Sequence, residues 1–143
     1  MTDGRFAADR LAIINLLGAY AHTYDENRLD EFRALFTESP ELVLWHEGRE
    51  MSSDVDTVMG LLQARKAAFQ AENNQRRHAL NSIWFTGQTG TEATGLCYFQ
   101  VFAIRDGGPP SPEITGCYEF TAVEVEGAWR FGRWVVRVDQ TGQ

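Results

Sequence analysis

Only two cysteines, four prolines and three histidines occur among 143 residues, and each scarcity removes a class of protein. Cys97 and Cys117 sit in separate strand-like segments with no C-x-x-C spacing. Two free buried thiols in a reducing compartment fit that placement better than a disulfide framework. His22, His46 and His78 are scattered without ligand spacing, so the reading holds no metal site. Basic residues are scarce too: 13 Lys and Arg stand against 20 Asp and Glu, for a net charge of -7. That balance argues against a nucleic-acid or anionic-membrane partner. The adjacent basic pairs, Arg65-Lys66 and Arg76-Arg77, read as solvated surface on a helix or at its exit. No apolar run opens the chain at signal length, and none is long enough to span a bilayer. Neither a Gly-rich phosphate loop nor a nucleophile elbow is present. The expectation is one soluble, cytoplasmic domain over residues 1–143.

What is present is apolar patterning. Hydrophobic residues make up 43% of the chain and aromatic ones 12%, enough to fill a core and still line a pocket. Over residues 8–24, Ile13, Leu17, Tyr20 and Tyr24 recur on one helical stripe, with Leu11, Ile14 and Ala21 beside it. Asp30 is placed to cap a short second helix with Phe32, Leu35 and Phe36 inward, and Thr37-Glu-Ser-Pro40 breaks it. Residues 41–46 read as a strand and Glu47-Gly48-Arg49 as a turn. Ser53 and Asp56 take capping-box spacing before a third helix bearing Val55, Val58, Met59, Leu62 and Phe69. The polar run 72–75 ends that helix.

From His78 the pattern turns to strands, over 78–86, 92–105, 113–126 and 128–139. Gly87 and Gly90 punctuate the first gap, residues 107–112 form a loop, and Glu126-Gly127 is a hairpin signal. Helices first and a strand meander after predict an α+β fold, the helices packed on one face of a curved sheet. Residues 96–104 are apolar on both faces. A homo-oligomer, dimer or trimer, is the simplest cover for the second face.

Two short stretches carry chemistry. Tyr20-Ala-His22-Thr-Tyr24-Asp25 closes the first helical pattern, and Arg76-Arg77-His78-Ala-Leu-Asn81 opens the first strand of the meander. If the fold unites them, the Asp25 carboxylate fixes one imidazole nitrogen of His78 as N–H and leaves the other to accept a proton. Otherwise Asp25 caps a turn and His78 is an ordinary satisfied polar residue. Tyr20 and Tyr24 are either core or hydrogen-bond donors to an enolate oxygen. His22 falls off the stripe and is expected at the surface, while His46 stands at a strand end, at a cavity mouth or on the surface. Asn81 is out of step with His78 and should point away from it. Tyr98 and Gln100 share one strand face, lining a pocket or lying outside. Glu119 is a second acid–base candidate or a solvated edge residue. Arg133 and Arg137 share a face, and pairing with Glu119 or Glu124 is their simplest explanation.

The chain resembles a known family in three places. These are Ile14-x-x-Leu17 with Asp25, Leu29-Asp30 and Leu35-Phe36-Thr37; then Arg77-His78-x-x-Asn81; and finally Gly116-x-Tyr118 with Gly127-x-Trp129-Arg-Phe131. In order and spacing they resemble the SnoaL-like branch of the nuclear transport factor two-like superfamily. That group includes scytalone dehydratase, bile acid dehydratases, ketosteroid isomerase and polyketide cyclases. The resemblance implies a cone-shaped α+β roll, cystatin-like, with helices on a strongly curved mixed or antiparallel sheet around an apolar cavity. It puts Asp25 and His78 in that cavity as a catalytic pair, with Tyr24 and Tyr20 as helpers. The expected substrate-binding set is Trp45, Tyr98, Gln100, Tyr118, Glu119 and Arg137.

The expected activity is that of a cofactor-free dehydratase, isomerase or cyclase. Its ligand would be a small hydrophobic oxygenated ring compound, polyketide-like or steroid-like. The alternative is a non-catalytic ligand-binding module or the small subunit of a ring-hydroxylating oxygenase.

Overall fold

The structure, a computed structural model, describes residues 4–139. The domain ends at residues 1–3 and 140–143, and the absence of a leader read at the extreme N-terminus, lie outside the described residues. Helix α1 (Gly4–Asp25) comes first, then the short α2 (Leu29–Ala34). Strands β1 (Phe36–His46) and β2 (Arg49–Ser53) follow, and α3 (Val55–Ala71) succeeds them. The meander is β3 (Asn74–Gln88), β4 (Glu92–Arg105), β5 (Ser111–Val125) and β6 (Ala128–Val138). Among the described residues one six-stranded sheet runs in the order β2-β1-β6-β5-β4-β3. Strand β1 lies parallel to β6 and all other neighbours are antiparallel, so the sheet is mixed. The expected α+β architecture, helices packed on one face, is the observed one. No helix among the described residues is long and apolar enough to cross a membrane.

The stripe on α1 drives its docking. Ile13, Leu16, Leu17, Tyr20, Ala21 and Tyr24 are all buried, the spacing of one helical face. Leu11 and Ile14 flank that stripe in the sequence but stay exposed, at 68% and 42%. The helix ends where Asn27 adopts a positive φ of 60°. There Arg28 N–H donates to Thr23 O and Asn27 N–H to Tyr24 O, the paired bonds of a Schellman stop. Asn tolerates the left-handed conformation this stop demands. Asp25 is thereby held in the last turn, facing β3.

Several local expectations shift. The cap of α3 is Asp54, whose carboxylate accepts from Thr57 N–H, one residue beyond Ser53. Helix α2 is preceded by Arg28, with no side-chain cap, so Asp30 lies within its first turn. Strand β1 starts at Phe36, inside the stretch read as a helix end and breaker. Strand β2 was not visible in the sequence because every one of its residues is exposed and none alternates with core. Glu47 and Gly48 make the turn between β1 and β2 with positive φ of 55° and 74°. Most important for the site, β3 begins at Asn74. The Arg76-Arg77 pair therefore lies in a strand, where alternate side chains part to opposite faces.

That alternation sorts the sheet. Cys97, Phe99, Tyr118 and Phe120 point to the helices and are buried, whereas Tyr98 is exposed. In the register Cys97 opposes Tyr118 and Tyr98 opposes Cys117, so the two cysteines face opposite sides and both are free. Register shifts put an extra residue in β3 after Asn81, in β5 at Glu113 and in β6 at Gly132. Such bulges bend the strands and increase their twist. Burial pushes the Cys97 thiol up to about 12, so at neutral pH it is neither a thiolate nor accessible. A thiol reagent applied to the native protein is expected to label the partly exposed Cys117 and spare Cys97. Mass spectrometry of the labelled peptides checks this, and equal labelling would contradict the packing.

Candidate active site

The end of α1 and the middle of β3 meet. His78 N–H donates to Asp25 Oδ2 at 2.7 Å, and His78 Nδ1 lies 2.6 Å from Asp25 Oδ1. One carboxylate thus receives both the backbone and the ring of the same residue, which fixes the rotamer of each. Both side chains are only 7% exposed. A carboxylate at the negative end of a helix is disfavoured by the peptide dipoles, and these two bonds offset that cost. The backbone carbonyl of Asp25 is also satisfied, by Gln75 Nε2 at 3.0 Å and Lys66 Nζ at 3.4 Å. With Nδ1 committed as a donor to the carboxylate, Nε2 carries the imidazole lone pair.

His78 borders a cavity of about 770 Å³, within the usual range of small-molecule sites, about 300–1,000 Å³. Its wall is mostly apolar and aromatic, with Phe36, Phe99 and Val101 among the lining residues. Exposed residues of the wall, including His46, Arg65 and Thr115, mark where it meets solvent. The Tyr24 ring stands 4.5 Å from the His78 ring and the Tyr20 ring 6.2 Å from it. Tyr20 also packs on Tyr118 and Trp134, with ring centres 5.4 and 4.5 Å away. Burial, first of all, and then the neighbouring Tyr24 raise the pKa of Tyr20, against the opposing effect of Tyr118 and Trp134 at its hydroxyl. Tyr118 is raised by burial as well. Both phenols therefore stay neutral and act as donors. The Trp134 side chain is 3% exposed, and its buried indole N–H has no acceptor in hydrogen-bonding geometry among the described residues.

Of the residues expected at the site, Asp25, His78, Tyr20, Tyr24 and Tyr118 gather here. The remaining five expected substrate contacts do not line the cavity. Arg137 pairs with Glu119 at 3.0 Å and lies over the Trp45 ring at 5.2 Å. Gln100 accepts from Asn81 at 2.6 Å, and Tyr98 is 57% exposed. Trp45, Tyr98, Gln100, Glu119 and Arg137 are thus corrected to the opposite face of the sheet. The reason is register: Tyr118 faces the helices, so its neighbours in sequence, and the residues paired with those neighbours, face away. Arg133 pairs with Glu41 at 3.0 Å. His22 is a surface residue, as its off-stripe position suggested. His46 is exposed and on the cavity rim, so both expectations for it meet.

Sequence reasoning overlooked Arg76 and Trp134, which line the cavity, and Lys66, which is buried behind Asp25. Arg76 carried a usable signal, because it precedes His78 by two and so shares its strand face.

Comparison with known proteins agrees with this architecture. A family model described as a SnoaL-like domain matches residues 5–135. The chain belongs to the SnoaL-like family. Among solved structures, a scytalone dehydratase candidate from Novosphingobium aromaticivorans is similar to this SnoaL-like chain. It has a TM-score of 0.78 at 22% identity, over 95% of this chain and 87% of that one. The beta subunit of a candidate aromatic-ring-hydroxylating dioxygenase from the same organism gives 0.75 at 21% identity, over 95% and 92%. An NTF2-like protein with a cystatin-like fold, again from that organism, gives 0.78 at 19%, over 96% and 86%. At these identities the likeness concerns the fold. None of the curated proteins matches in sequence.

Proposed function

We propose that this SnoaL-like protein is an acid–base enzyme of the dehydratase, isomerase or cyclase type. Its substrate is a small hydrophobic oxygenated ring compound. The observation that carries this reading is the 2.6 Å contact between Asp25 and the His78 ring at the wall of an apolar cavity. His78 Nε2 takes the proton alpha to a ring carbonyl, and the electron pair of that C–H bond moves toward the carbonyl oxygen. Asp25 stabilises the imidazolium so formed and holds its tautomer. Tyr20 or Tyr24 donates to the enolate oxygen. The imidazolium then returns its proton. Delivered to a beta hydroxyl, it expels water; delivered to another carbon, it moves the double bond.

A homo-oligomer belongs to the same proposal, because Trp84 and Tyr98 stand 66% and 57% exposed and a second copy would cover them. The chemistry is tested by incubating the protein with ring ketones in D2O and following exchange of the alpha protons by NMR. Wild type is expected to accelerate exchange. Asp25→Asn keeps the shape but leaves the imidazole without its anionic partner, and should slow exchange by at least about tenfold. If no ring ketone exchanges faster than in buffer, the acid–base reading fails.

A further inference from the structure

The cavity wall carries charge that the acid–base steps leave unused. Arg76 precedes His78 by two residues on β3, so the two side chains share a face, with Cα atoms about 6.6 Å apart along the strand. Arg76 is half-buried and lines the cavity. Its guanidinium lies over the Phe69 ring at 4.5 Å, yet no hydrogen bond or ion pair engages it among the described residues. Burial, the largest influence, lowers its pKa, and Glu113 opposes that shift; an arginine stays charged through such changes.

Glu113, the carboxylate felt most by Arg76, is already paired with Arg105. Arg65 from α3 also lines the cavity, exposed at its rim. The neighbouring Lys66 is 4% exposed and sits 5.1 Å over the Tyr24 ring. Asp139, another rim carboxylate, accepts from the Thr115 hydroxyl at 2.8 Å. Two arginines, Arg65 and Arg76, and two carboxylates, Glu113 and Asp139, line the cavity; Glu113 is held by Arg105, and Arg76 is the cation on the strand face of His78. A half-buried guanidinium whose N–H fork is not taken up by a neighbouring side chain among the described residues is a ready partner for an anion entering the cavity. A carboxylate takes up that fork with two parallel bonds, which a neutral ring compound has no means to offer.

We propose that Arg76, assisted by Arg65, anchors a carboxylate carried on the substrate's own ring system. This rests on the acid–base reading of the same cavity and narrows its substrate class to small hydrophobic ring acids. The carboxylate sits on the Arg76 side of His78, and the reacting carbonyl on the side of Tyr20 and Trp134. The anchor is internal to the cavity wall, which favours a ring-borne carboxylate over the phosphates of a carrier such as coenzyme A.

Titration calorimetry on the full chain tests this with an isosteric pair, 2-naphthoate and 2-naphthamide. Wild type is expected to bind the acid about tenfold or more tightly than the amide. Arg76→Gln should erase that preference while leaving amide affinity within about twofold, and Arg76→Lys should restore part of it, since lysine keeps the charge without the fork. His78→Gln should keep the preference. The binding result is therefore independent of turnover, and failure of the acid–base reading remains separately visible in the exchange experiment. The proposal is overturned if acid and amide bind equally, if neither binds, or if the preference survives Arg76→Gln. It is equally overturned if coenzyme A binds in an Arg76-dependent manner while the naphthoate shows no advantage.

Discussion

Replacing His78 with alanine is expected to lower kcat/KM on any ring ketone or hydroxyketone substrate by about 10²–10⁴-fold, the usual worth of a positioned general acid–base group. The reasoning runs through the two bonds to Asp25. The backbone bond, His78 N–H to Oδ2 at 2.7 Å, survives the substitution because alanine keeps its amide. Only the ring contact to Oδ1 at 2.6 Å is lost. The fold should therefore persist while the proton-transfer group disappears, and circular dichroism checks the first part. The substitution also opens imidazole-sized space beside Tyr24. Added imidazole should then restore part of the rate to His78→Ala and none to Asp25→Asn, whose own ring still fills the place. Activity of the alanine variant within about threefold of wild type would exclude His78 as the acid–base group.

Gly116→Ala is expected to cost about 3 kcal/mol or more, the upper part of the range for overpacked cores. Thermal unfolding should then fall by on the order of 10 °C. A Cβ built at Gly116 would stand 2.1 Å from the Arg137 carbonyl oxygen and 2.6 and 2.7 Å from atoms of the Phe99 ring. Backbone cannot swing aside as a flexible side chain does, because Cys117 and Gly116 pair with Arg137 and Val138 across β5 and β6. Phe99 is held too, stacked on Tyr118 with ring centres 4.1 Å apart and planes 9° from parallel. Pushing Phe99 therefore disturbs a cavity-lining tyrosine. Gly60→Ala is the control: nothing lies within 4 Å of its Cβ, and helix propensity should stabilise α3 by up to about 1 kcal/mol. Equal melting temperatures for Gly116→Ala and wild type would mean that β5 and β6 are less closely paired than the register implies.

Particular residues show which features were legible. The stripe Ile13, Leu17, Tyr20 and Tyr24 announced both α1 and its buried face, because helical period is a strong local signal. Asp25 and His78 were readable as a pair only through residue type and family resemblance, since 53 residues separate them in the chain. The outer-face errors have one cause. Residues 96–104 are apolar on both faces, so alternation separates two sets without naming the one turned to the helices. Tyr118 and Glu119 are adjacent in a strand and cannot both face the same side. Arg76 was misplaced because the polar run before it resembles a helix exit. Pairing of Asn74 with Arg105 at the end of β4 extends the strand through those residues.

By itself, then, the sequence determined the order of the helices and of every strand except β2, the buried face of α1, the absence of a nucleotide loop or metal-ligand spacing, and the residue types able to move a proton. These are local properties, carried by period, turn chemistry and composition. Tertiary structure alone decided that Asp25 and His78 bond to each other, that Arg76 stands in the cavity wall over Phe69 with no ion-pair partner among the described residues, and that Glu119 pairs with Arg137 on the far side. Those outcomes depend on which face of each strand meets the helices. That choice follows from the cooperative packing of α1 and α3 against the bulged sheet, and no short stretch of residues encodes it.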